Sequence, residues 1–173
     1  GQDYQSEWNR HAIGAAATAA AQHFDQIIDL FAPEHLWQFL SQIQKITHTE
    51  GQDAVFQKFW EKLLPFLPDK AIVQTTTSQM VIPDKARLVD TEEEKAAVPI
   101  LEKVGIAVVH QDLRKHYSLL QEVGVQRLRL DDIIKALQAK NIAYGTALSQ
   151  APKGLQSIED WEQLWAATNV LFG

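Results

Sequence analysis

In the stretch "HQDLRKH", His110 and His116 flank an expected helical turn, and Asp112 lies between them. An imidazole near a carboxylate has the makings of a general base, because the neutral ring takes up a proton close to pH 7. A hydrolase-type enzyme with a dispersed site around His110, Asp112 and His116 is therefore one reading. It demands that the three side chains converge in one concave pocket with perturbed pKa values. The plainer reading makes His110 an ordinary residue at a strand end, and it ranks first. No HExxH pair and no zinc-type His–carboxylate spacing accompanies these residues. His11 and His23, twelve positions apart in one expected helix, are too distant to share a metal.

Arg114 and Lys115, beside His116, form a second chemical group. They fall in the first turns of the helix expected after "IAVVH". Its amino end and these cations would suit an anion, such as a phosphate on a neighbouring domain. A solvated or ion-paired face is the competing reading, and it ranks first here too. Gly-x-Ser-x-Gly is absent, and with no cysteine there is no thiol nucleophile, disulfide or Cys-ligated zinc. The acidic run Asp90, Glu92, Glu93 and Glu94 lacks the spacing of a cation-binding loop and reads as a solvated helix start. No catalytic residue, metal ligand or cofactor is assigned.

Charge bears on partners. Sixteen Lys and Arg against twenty-two Asp and Glu leave a formal net charge of -6 across 173 residues. That excess opposes non-specific attraction to nucleic acid. A nucleic-acid-binding module would need Arg10, Arg87, Arg114, Arg127 and Arg129 on one face. No uninterrupted apolar run approaches the roughly 18–20 residues that span a bilayer, and a basic-then-apolar leader is missing. Gly1 in place of Met, with Met80 the lone methionine, suggests a fragment of something longer. The expected location is cytoplasmic, with no nucleic acid and no membrane as partner.

The elements that must position these residues follow from period and punctuation. Trp8, Ala12, Ala15, Ala19, Phe24, Ile27 and Phe31 recur close to one face of a long helix, and Pro33 ends it or starts the next. Leu36, Phe39, Leu40 and Ile43 mark a second helix. Phe56, Phe59, Trp60, Leu63 and Leu64 mark a third, stopped by Pro65 and Pro68. "KAIVQTTTSQMVIPDKARLV" then reads as two short strands joined by a turn, with a third over 86–89. Thr91 caps a helix that Pro99 kinks or breaks. "IAVVH" is an expected buried strand, "QDLRKHYSLLQEV" a helix, "VQRLR" extended and "LDDIIKALQAK" a helix. After a loop holding Pro152 and Gly154, Ser157 opens the last helix in an imperfect capping box with Asp160. Trp161, Leu164, Trp165 and Leu171 form its apolar stripe.

One phrase occurs twice: "PILEKVGIAV" from Pro99 and "SLLQEVGVQRL" from Ser118. In both, glycine follows the last apolar turn, where a residue at positive φ ends a helix without a Cβ clash. A β-branched residue then opens an extended segment. Gly105 and Gly124 are thus expected to stop two consecutive helix–Gly–strand units, in the opposite order to a phosphate-cradling loop.

"SEWNRHAI" ahead of a long helix resembles the segment after the GHKL-type ATPase module in sacsin and its bacterial relatives. "FWEKLLPFLPDKAIVQTTTSQMVIPDKARLV" is similar to the sacsin-repeat order of Leu-Pro, strand, turn and strand before Pro. "ILEKVGIAVVHQDLRKHYSLLQEVGVQRLRLDDIIKAL" is similar to that family's succession of Leu-Gly and Gly-Val steps. The resemblance spans residues 7–137, and the order of soft motifs carries it. The GHKL nucleotide-binding motifs are absent, so it implies no ATP hydrolysis by these residues. It implies a segment downstream of a heat-shock-type ATPase module, with that module and a client or partner protein as contacts. Which of Arg10, Arg87 or Arg114 would reach a nucleotide in trans is not fixed by any family motif.

The expected fold is α+β, with amino-terminal helices, a small mixed sheet in the middle and helices at the carboxyl end. Residues 1–68 are a helical subdomain, and 69–173 a mixed subdomain packed against it or continuous with it. The expected function is a non-catalytic regulatory or scaffold role in a larger sacsin-like protein. Arg114, Lys115 and His116 are its candidate anion or interdomain contact.

Overall fold

An alanine-rich run favours helix at every position, and the chain opens as one long helix, α1 (Gln2–Ile27). The structure, a computed structural model, describes residues 2–47, 54–144 and 158–173. For 2–6, 8, 9 and 140–144, Trp8 among them, it describes the backbone alone. Ser157 and the loop with Pro152 and Gly154 lie outside the described residues.

The buried line of α1 is Ala17, Ala21, Phe24 and Ile28, while Ala15 and Ala19 are exposed. The expected stripe is corrected here by nearly half a turn. A run of alanines is equally apolar on every side, so the neighbouring helix, and not the period, selects the inner face. Pro33 occupies the first position of α2 (Pro33–Thr47), where its missing N–H costs nothing. Leu36, Trp37, Leu40 and Ile43 point inward from α2. Phe39 stays on the rim, stacked on Phe24 at 5.4 Å and on Phe31 at 6.0 Å. Helix α3 (Ala54–Leu63) buries Trp60 and Leu63 against α1 and passes into a 3-10 turn, Leu64–Asp69, shaped by Pro65 and Pro68.

Four two-residue strands follow: β1 (Val73–Gln74), β2 (Met80–Val81), β3 (Arg87–Leu88) and β4 (Gln126–Arg127). β1 pairs antiparallel with β2, and β3 parallel with β4. The segment 106–109 ties the pairs together: Thr75 bridges Val109, and Arg87 bridges Val108. "IAVVH" is therefore extended and buried as expected, but it contributes isolated bridges only. A helix stop precedes it and a 3-10 turn follows at once, leaving no length for a ladder.

Both copies of the repeated phrase stop their helices in the same way. Helix α4 (Glu92–Ala96) breaks at Ala97, one residue ahead of α5 (Val98–Val104), with Pro99 in the new first turn. Gly105 ends α5 at φ 99°, and Gly124 ends α6 (Tyr117–Val123) at φ 121°. In each copy the residue after glycine donates its N–H to the carbonyl five positions back: Ile106 to Leu101 at 3.0 Å, Val125 to Leu120 at 2.9 Å. That is a Schellman stop. The extended tails then run along opposite edges of β3, Ala107 and Val109 on one side and Leu128 on the other. "QDLRKHYSLLQEV" is corrected from one helix to a 3-10 helix, Gln111–His116, followed by α6.

Helix α7 (Leu130–Tyr144) and helix α8 (Ile158–Phe172) complete the chain. The fold is α+β, with helices at both ends and the small strands between. Among the described residues two apolar clusters fill it. The larger joins α1–α3 to Val73, Leu88, Leu113 and α6, so residues on either side of position 68 share it. The indole of Trp37, fully buried, donates to the Ile72 carbonyl at 2.8 Å across that boundary. The smaller gathers Val89, α5, Val108, Leu128, Ile133 and Leu164. No helix among the described residues is long and apolar enough to cross a membrane.

Candidate functional site

Arg114, Lys115 and His116 share one 3-10 helix, yet each side chain has its own surroundings. The Arg114 Nε donates to the Val109 carbonyl at 3.2 Å, and burial holds the guanidinium pKa below its ordinary value. The Lys115 ammonium donates to Glu34 on α2 at 3.1 Å, an exposed pair. The half-buried His116 ring has no hydrogen-bond partner for its buried Nε2. Burial lowers its pKa first, and the charges of Lys115 and Lys45 add to that against a smaller opposing pull from Glu34. Burial disfavours the charged form of His116, and Lys115 is already paired with Glu34, so neither is set up to meet an anion.

His110 caps the same short helix: its Nδ1 accepts the Asp112 N–H at 3.1 Å, and the Asp112 carboxylate lies 3.6 Å away. His116, at the far end, hydrogen-bonds to neither. The convergence that the hydrolase reading demands is not met, and among the described residues no cluster of three His, Cys, Asp or Glu would hold a metal ion.

The arginines divide by surroundings. Arg87 Nε sits 3.0 Å from the buried Asp132 carboxylate, which also accepts the Arg129 N–H at 2.8 Å. Arg127 reaches the Glu94 carboxylate at 2.9 Å. Arg10 instead lines a groove of about 660 Å³ between α1 and α3, with His11, Lys58 and Lys62. Two of the five arginines are thus spent on buried carboxylates.

Glu94 corrects the expected solvated acidic run, being only 5% exposed. Its carboxylate accepts the N–H groups of Thr91 at 3.0 Å and Asp90 at 3.2 Å as well as Arg127, while its own N–H donates to the Thr91 hydroxyl. This is a complete capping box. Burial alone would raise the pKa, but the two amides and the guanidinium outweigh it and hold it below 4.5. The Thr-x-x-Glu pattern in "TEEE" was the available signal for this role.

Helix α8 corrects the expected stripe in a way that bears on function. Leu164 is buried, and Leu171 half-buried, but Trp165 is 66% exposed and Ile158 78%. Ile158, Trp161, Trp165 and Phe172 recur at i, i+3, i+7 and i+14, one side of the helix, and all are exposed. The helix therefore carries two apolar sides, of which the fold covers one. Apolar residues on more than one side of a helix were the signal in the sequence, since a single core contact hides one stripe.

On a third side, α8 and the α4–α5 pair enclose a groove of about 510 Å³ floored by Ala96, Pro99, Ile100, Ala166, Ala167 and Val170. The exposed side and the groove are surfaces on which another molecule could seat. Comparison with protein-family models, curated proteins and solved structures found no match to the chain.

Proposed function

We propose that the chain is a non-catalytic regulatory or scaffold region of a larger sacsin-like chaperone-type ATPase, acting in the cytoplasm by interdomain and protein contact. The observation that carries this reading is the exposed line Ile158, Trp161, Trp165 and Phe172 on α8. Large apolar side chains gathered on one exposed side mark a surface that a partner covers, and tryptophan is the residue most enriched at binding hot spots. The occupant is the neighbouring GHKL-type ATPase domain, whose nucleotide state the contact would relay through unequal binding to its two conformations.

The test begins with the coding sequence ahead of Gly1 and then uses the chain itself. Added to the GHKL module of its parent, the chain should change nucleotide affinity or turnover by about fivefold or more. Replacing Ile158 and Trp165 together by Ser should abolish that change while the circular-dichroism melt stays in place. A different domain upstream, or a module indifferent to the chain, overturns the reading.

A further inference from the structure

The groove beside α8 lies away from the Trp165 side, and its chemistry points to a different occupant. Gln163, Ala166, Ala167 and Val170 line it at i, i+3, i+4 and i+7, with Pro99 and Ile100 of α5 opposite. A trough between two helices, floored by alanine, has room for the bulky side chains of a third helix. Its rim is acidic. Glu93 lines the groove itself. Glu159 stands one turn before Gln163, and Glu162 one turn before Ala166, both exposed.

No cation among the described residues is paired with Glu93, Glu159 or Glu162. The nearby lysines are engaged elsewhere, Lys95 with Glu92 at 3.3 Å and Lys103 with Asp160 at 2.8 Å. Three carboxylates with no ion-pair partner among the described residues border one apolar trough, and that charge favours a positively charged occupant. A second copy offering its own α8 would bring acid to acid, because "IEDWEQLWAATNVLF" contains no Lys or Arg. We propose that this groove binds a basic amphipathic helix of a partner protein. Its apolar side chains would seat over Ala166, Ala167 and Val170, and its Lys or Arg would reach Glu93, Glu159 and Glu162. This occupant is distinct from the ATPase-domain contact assigned to the Trp165 side.

The test uses the whole chain and two labelled helical peptides of about 18 residues, roughly 27 Å long. Both share a Leu stripe; one carries Lys on its flanks and the other Glu. Fluorescence anisotropy should show the Lys peptide binding about tenfold or more tighter at low salt, with the preference shrinking as salt rises. Replacing Glu93, Glu159 and Glu162 together by Lys should reverse the preference. Ala166→Trp, at an exposed position on the groove floor, should abolish binding of both peptides. Ile158→Ser with Trp165→Ser should leave peptide binding unchanged, even where it destroys the ATPase-domain contact, so the two proposals fail separately. Equal affinity for both peptides, no binding of either, or an unaltered preference after charge reversal overturns the inference. So does a dimer in sedimentation that Ala166→Trp dissolves, since the occupant is then a second copy.

Discussion

The two copies of the helix–Gly–extended phrase have the same backbone and opposite fates. After Gly105 the chain dives between the two apolar clusters, and Val108 and Val109 are fully buried. After Gly124 it runs along the outer edge of β3, and Gln126 and Arg127 face solvent. The glycine stops match bond for bond, so the difference comes from what each tail meets. The first tail has β1 on one side and β3 on the other; the second has only β3, and it turns a side chain back to the Glu94 carboxylate. A local motif sets the exit of a helix. The surroundings decide whether the exit leads to core or to edge.

The sharpest test of that equivalence is at the last helical turns. Leu101 and Leu120, each fully buried, supply the carbonyls that the glycine stops engage. Truncating either to Ala should cost about 2–5 kcal/mol in urea melts. If one costs little, the copies are alike in backbone only. The glycines come next. Gly105→Ala and Gly124→Ala should each cost about 1–2 kcal/mol, with Gly124 the worse. Its φ of 121° lies further from the left-handed basin than the 99° of Gly105. An added Cβ at 124 meets only Pro83 at 3.9 Å, an ordinary contact, so backbone strain is the whole effect. Equal costs would remove that distinction.

Of the two tails that follow the glycines, the edge one carries a charged anchor, Arg127 on Glu94. Arg127→Gln should cost about 1 kcal/mol, since Glu94 keeps its two backbone donors. It should also flatten the acid limb of the stability profile. The folded pKa of Glu94 is below its unfolded value of 4.5. Its contribution is therefore complete above that value and drains away as pH falls through the folded pKa. A profile unchanged below pH 4.5 in the variant would place the acid sensitivity elsewhere. The smallest effect belongs to Lys115→Ala, below about 0.5 kcal/mol, because its pair with Glu34 is exposed.

Legibility followed chemistry that acts within a few residues. Pro33 opening α2, Thr91 capping α4, the break around Pro99 and both glycine stops are local steric and hydrogen-bonding demands, and each is readable in the sequence. The inner side of α1 was not readable, because alanine on all sides leaves the choice to α3. The reach from Glu94 to Arg127 spans thirty-three positions, and no periodicity encodes it. Whether Trp165 is core or surface was unreadable for the same reason: a period reveals that a side is apolar but not whether anything covers it.

By itself, then, the order of residues determined where the capped, proline-marked and glycine-stopped helices begin or end and that short extended pieces lie between them, since caps, prolines and positive-φ glycines act through neighbours in the chain. Only the assembled molecule decided that 106–109 is interior while 126–127 is rim, that Glu94 is an anchor, and that α8 keeps an apolar side open. Burial is a property of pairs of surfaces, and one helix read alone supplies only half of each pair.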